Sequence, residues 1–133
     1  MAFSGMNYLA VLVAAAAGFA TGAVWYGLFG RRWAAALGKV PEDMKPTAFP
    51  FIVAFAAEIL MAFILAGLIG HIGTANVFNG AVSGLLVWAG FVATTVSVNN
   101  AYQNTPVALP LIDAGHWLAV LVVMGLVIGA FSA

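Results

Sequence analysis

The chain has 133 residues, 65% of them hydrophobic and only 6% charged, with no net charge and no cysteine. Soluble domains carry roughly a quarter charged residues, so this composition excludes a water-soluble fold and describes a polytopic membrane protein. The absence of cysteine excludes disulfides, thiolate metal sites and a cysteine nucleophile, and four basic residues are too few for a nucleic-acid surface.

A spanning helix needs about 20 apolar residues, so a chain of 133 residues holds four of them as a single all-α transmembrane domain with little to spare. In chain order they are expected at 7–29, 49–70, 77–98 and 108–131. The first stretch lacks a basic leader and runs on into Trp25 and Tyr26, unlike a cleaved secretory signal.

Helix one is followed by the segment 30–48, which holds every basic residue of the chain (Arg31, Arg32, Lys39 and Lys45) together with Glu42 and Asp43. Basic residues in short loops stay on the cytoplasmic side. That rule places this loop inside, and both termini and the His71–Asn76 turn on the non-cytoplasmic side. Trp25, Tyr26 and Trp33 flank the loop as interfacial aromatics do. Within it, Pro41-Glu42-Asp43 reads as the start of a short helix, with proline in the first turn and acids at the positive end of the dipole. Helix two ends at the turn 71–76. Helix three ends at 99–106, where Asn99, Asn100, Asn104 and Pro106 mark a break before helix four.

In lipid, helices associate through close packing and polar contacts, and small residues four apart are the sign of it. Gly18/Gly22, Gly80/Gly84 and Gly125/Gly129 form such pairs on helices one, three and four, and helix two carries Ala66/Gly70. These faces serve either packing within the bundle or joining of protomers. Four helices enclose little interior, so a homo-oligomer in the lipid bilayer is expected, most simply a dimer, or a place in a larger membrane complex.

Polar residues collect on the side of the basic loop. Glu58 lies about 13–14 Å into helix two and His116 about 12 Å into helix four, counted from that side. Asp113 precedes His116 by three residues and shares its face. Trp25 and Tyr26 of helix one and Thr94 and Thr95 of helix three fall in the same half. A carboxylate near mid-bilayer costs at least about 2.5–3.5 kcal/mol, so Glu58 needs a partner, water or a neighbouring subunit. Three readings stand at this point. Glu58, His116 and Asp113 form a hydrogen-bonded clasp between helices two and four, or a site for a proton, cation or polar solute, or a contact for lipid headgroups or a partner subunit.

Other chemistry is poorly supported. His71 and His116 differ too much in depth to be the two axial ligands of one haem, and Asp113-x-x-His116 offers two ligands where zinc usually takes three or four from protein. G-x-S-x-G, Walker and dinucleotide glycine motifs are missing. No metal, cofactor or enzymatic activity is expected.

Several runs in order give the chain a resemblance. They are Asn7-Tyr8-Leu9-Ala10-Val11, Trp25-Tyr26 with Phe29-Gly30 and Trp33, Gly90-Phe91-Val92-Ala93-Thr94-Thr95, Asp113-Ala114-Gly115-His116 and Val123-Met124-Gly125. Over nearly its whole length the chain resembles the small bacterial membrane proteins grouped as domain of unknown function number seventeen sixty-one. The resemblance implies a four-helix protein of the bacterial inner membrane and no established activity. Members often have Ser-Pro after the Trp-Tyr pair and Asn where this chain has Asp113, so a role needing a fixed charge there does not follow from the family.

The functional expectation is a small cytoplasm-facing vestibule for a proton, ion or small polar solute. In it Glu58 is the protonatable gate, Asp113 and His116 tune it, and Trp25, Tyr26, Thr94 and Thr95 line the entry. The alternative is a structural or accessory subunit whose polar cluster only holds helices together.

Overall fold

The computed structural model describes residues 3–132. Among them there is no strand, and four helices are long and apolar enough to cross a membrane: α1 (Tyr8–Ala36), α2 (Ala48–Ile72), α3 (Val77–Gln103) and α4 (Ala108–Phe131). The chain is thus a multi-pass membrane protein. Within α3, Trp88–Val92 form a π turn between two α-helical halves.

Local chemistry sets the ends. The Asn7 side chain accepts from the Ala10 N–H at 3.1 Å and opens α1. Rather than stopping at 29, α1 continues through Arg31, Arg32 and Trp33 to Ala36, and Gly38 then turns the chain with φ +72°. Hydropathy marks where hydrocarbon ends, but the hydrogen-bond ladder runs on because arginine and alanine are strong helix formers. Likewise the expected break at 99–106 begins late. Asn99 to Gln103 are helical, and the stop falls at Asn104 in the left-handed region, φ 54°. Between α1 and α2, Pro41–Asp43 form a single 3-10 turn where the sequence suggests a short helix. The α2–α3 turn is tight: Gly73 takes φ 100°, and Asn76 caps α3 by accepting from the Asn79 N–H at 2.8 Å.

The helices alternate in direction, and α4 is central. It packs along α1 on one side and the first half of α3 on the other, and α2 lies chiefly against α1. Among the described residues α1 and α3 do not meet. Burial on α4 accordingly runs from Leu109 to Gly129.

The α3–α4 contact is made by glycine on glycine. The positions where Gly80 and Gly125 would carry a Cβ are occupied by each other's carbonyl oxygens. Gly84 meets the Leu121 carbonyl in the same way, and Gly129 that of Asn76. Backbones this close gain dispersion and Cα–H···O contacts, the attractions that remain when lipid removes any hydrophobic drive. Neither residue of the Ala66/Gly70 pair of α2 is buried. Gly70 is exposed, and its neighbour Gly67 is the buried one, covered by the Phe3 ring.

The bundle therefore has two unlike halves. In the half nearer the termini, Val11, Ala14 and Ala15 pack with Ala62, Leu65 and Ile69 and with Val120, Leu121, Met124 and Ile128. In the half nearer the 37–47 loop, that apolar core gives way to polar and aromatic side chains.

Candidate functional site

Glu58 and His116 are the only ionisable residues buried among those described, at 3% and 7% exposure. Each sits against a glycine of α1. A Cβ at Gly18 would lie 3.1 Å from Glu58 Oε1, and one at Gly22 would lie 2.8 Å from His116 Nε2. Gly18 and Gly22 are thus spacers that admit a carboxyl from α2 and an imidazole from α4, not a helix-to-helix seam like the glycines of α3 and α4. Positions four apart on a helix are about 5–6 Å apart at Cβ, so the two polar groups occupy consecutive steps of one face. Four residues at 1.5 Å each put His116 about one turn nearer the basic loop than Glu58, where their positions in the sequence suggest nearly equal depth.

They are not, however, clasped together. Oε1 of Glu58 and Nδ1 of His116 are buried with no hydrogen-bond partner. A lost hydrogen bond in a buried setting costs about 1–3 kcal/mol, so these two stand out as the fully buried side-chain polar atoms without a partner among the described residues.

The remaining groups form a belt one turn nearer the loop. The Tyr26 hydroxyl donates to Asp113 Oδ1 at 2.6 Å, a length typical of a hydroxyl on a carboxylate. The same tyrosine packs its ring on His116, centroids 4.9 Å apart, and His116 also meets Trp117 at 4.5 Å. Trp25 lays its indole over Gly115, where a Cβ would come within 2.7 Å of the ring, and donates to the Ile112 carbonyl at 3.0 Å. From the opposite side Trp88, the first residue of the π turn, donates to the Ala114 carbonyl at 2.7 Å. Two indoles thus grip the Ile112–His116 turn of α4 from α1 and α3. The extra residue of a π turn re-aims a helix face, and here it is Trp88 that gains α4.

Of the residues singled out in the sequence, His116, Asp113, Trp25 and Tyr26 meet around one turn of α4, and Glu58 lies one step further along α1, against Gly18. Thr94 and Thr95 do not join them: both are exposed, and their hydroxyls donate back to the Gly90 and Phe91 carbonyls of their own helix. The second half of α3 holds no buried residue and leans away from α4, leaving a cleft of about 410 Å³ bounded by Trp88, Ser97, Asn100, Thr105, Pro110 and Leu111. Trp88 and Gly115 escaped the sequence reading. An indole N–H in a span must find an acceptor when buried, and a glycine one residue before His116 leaves room for a ring. No group of three metal-ligating side chains occurs among the described residues.

With this geometry in view, the family model described as protein of unknown function (DUF1761) matches residues 9–129. The chain belongs to DUF1761. No curated protein and no solved structure matches it. The DUF1761 match covers α1 from its first turn to the last turn of α4, and so takes in every residue of the buried site.

Proposed function

We propose that this DUF1761 protein is a non-enzymatic protein of the bacterial inner membrane whose Glu58–His116 site binds, or lets pass, a proton, ion or small polar solute reached from the cytoplasm. One observation carries the reading: two ionisable side chains are held inside the bundle, each with a polar atom that no protein group satisfies. Intramembrane acids and histidines are costly to keep and mark ion pathways and proton relays. The cytoplasmic assignment follows from the basic loop at the end of the bundle nearest the site. Glu58 is the group that changes state, His116 its neighbour one step away, and the Tyr26–Asp113 pair the polar entry. The test is flux into proteoliposomes of protons, sodium, potassium and ammonium, for wild type and Glu58→Gln. A flux present in wild type and absent in the variant supports the reading. Background flux of all four in both contradicts passage.

A second reading has its own support. The indole bonds from Trp25 and Trp88 to α4, with the Tyr26–Asp113 bond, form a fastening around one turn of α4, as an accessory subunit with a structural polar cluster would need. It predicts that Glu58→Gln leaves every flux unchanged while His116→Ala loosens the bundle. The site reading is favoured because Glu58, the costliest residue in the interior, takes no part in that fastening.

A further inference from the structure

Of the four spans α3 is the least enclosed, with 11% of its apolar stretch buried against 28–33% in the others. Its loop-side half stands off from α4 across the cleft of about 410 Å³. We propose that this cleft, apart from the Glu58–His116 site, is a lipid site. It seats one acyl chain of a phospholipid from the leaflet on the basic-loop side, with the ester and phosphate region at the Asn100–Thr105 mouth.

Depth and polarity along the cleft follow those of a single leaflet. Trp88 closes the inner end, ten residues or about 15 Å before Val98, where the apolar run of α3 gives out. That length is half of the roughly 30 Å hydrocarbon core. Ala93, Leu111 and Ala114 form the deep walls, and Ser97, Asn100 and Thr105 come only toward the loop end. No charged side chain lines the cleft. Its occupant is therefore apolar for most of its length and polar at one end.

The shape suits a chain and not a helix. From Trp88 to Ala101 the cleft runs along about 20 Å of α3, which with its volume gives a mean section of about 20 Å². A helix with its side chains is about 10–12 Å across, or roughly 80–110 Å² in section. A span of a second copy can only lie over the opening, whereas an acyl chain enters it.

Bonds at both ends hold the slot open. At the inner end the Trp88 indole donates to the Ala114 carbonyl at 2.7 Å, and at the mouth the Thr105 hydroxyl donates to Asn100 Oδ1 at 2.7 Å. Walls fixed on two sides give a chain more dispersion contacts than one open helix face does, and little of the protein has to be ordered on binding. Water is a poor filling, because it needs two to four polar partners and the deep walls are apolar. At the mouth Asn100 spends one N–H on the Val96 carbonyl at 2.8 Å. A primary amide has two, so the second is left for an ester or phosphate oxygen.

The experiment uses the full chain in bilayers of phosphatidylethanolamine and phosphatidylglycerol, with a trace of phosphatidylcholine carrying a diazirine on one acyl chain. After irradiation, labelled residues are located by peptide mass spectrometry. Ala93, Ala101 and Leu111 are expected to be labelled roughly tenfold more than Phe49, Ile52 and Val53, the ratio that about 1.4 kcal/mol of preference produces. Those three α2 residues are exposed on the same side of the bilayer and line no part of the cleft. Ala101→Phe and Leu111→Trp, which fill the cleft from its two walls, should each bring its labelling down to the α2 level. Ala56→Phe, on the exposed face of α2, should leave it unchanged. Helical content and elution from a sizing column are compared with wild type, so that loss of labelling is read on folded protein. Equal labelling of the cleft and the α2 face in wild type overturns the proposal. So does a Ser97→Cys chain that links quantitatively to a second copy in the same bilayers, because that copy is then the cover.

Discussion

The same spacing of two glycines does opposite things in this protein, and the difference lies in single side chains. At Gly80 and Gly125 the missing Cβ admits a backbone, whereas at Gly18 and Gly22 it admits a polar side chain. Gly22→Ala forces a methyl to within 2.8 Å of the His116 ring. Overpacking of this kind costs about 1–3 kcal/mol, and it should displace the imidazole and abolish any Glu58-dependent flux. Gly18→Ala is expected to be milder, because its nearest neighbour is the flexible end of Met124. Gly27→Ala, with nothing within 4 Å of the new methyl, serves as the neutral control. Thermal unfolding in detergent together with flux checks the order, and a Gly22→Ala protein that behaves like Gly27→Ala contradicts it. Glu58 and His116 are legible in the sequence because an ionisable residue in an apolar span has few innocent explanations. Their depth follows to within about a turn from 1.5 Å per residue, but depth arithmetic contains no rotation about the helix axis. For that reason Thr94 and Thr95 fall at the right level on the wrong face, where bonding back to the i−4 carbonyl satisfies them without a partner.

Among the elements, α3 and α4 form the seam on which the rest depends. A methyl at Gly80 would strike the Gly125 carbonyl, which is backbone and has no rotamer to yield. Gly80→Ala should therefore cost at or above the upper end of the roughly 1–3 kcal/mol typical of overpacking. Gly90→Ala, in open space on the same helix, should be neutral or gain up to about 1 kcal/mol of helix propensity. Equal unfolding temperatures for the two variants would contradict the seam. The glycine motif announces these close approaches, although it does not say which pairs meet. The π turn at Trp88–Val92 leaves no mark on hydropathy, since the residues of Trp-Ala-Gly-Phe-Val would suit an ordinary helix. It becomes visible only once the indole of Trp88 is seen to need an acceptor on α4. The overlong ends of α1 and α3 have a similar origin: the apolar run reports hydrocarbon thickness, and the helix reports hydrogen bonding.

At the scale of the whole molecule the orientation is testable because the chain has no cysteine. Single cysteines at Lys39 and Thr74, both exposed and at opposite ends, report sidedness directly. In intact cells an impermeant maleimide should label Thr74→Cys, and Lys39→Cys only after permeabilisation. The reverse pattern would turn the protein over and place the polar entry on the outer side. Native mass measurement in mild detergent should give twice the chain mass, and a strictly monomeric species would set aside the proposed dimer. Both proposals matter less than the arrangement inside the bundle, which magic-angle-spinning NMR of labelled protein in lipid bilayers can read without any assumption about flux. Cross-peaks are predicted between the Glu58 side-chain carboxyl carbon and Gly18 Cα, and between the His116 ring and Gly22 Cα, with none from that carboxyl to lipid acyl chains. Strong contact of the Glu58 carboxyl with acyl chains, and silence at Gly18, would contradict the account.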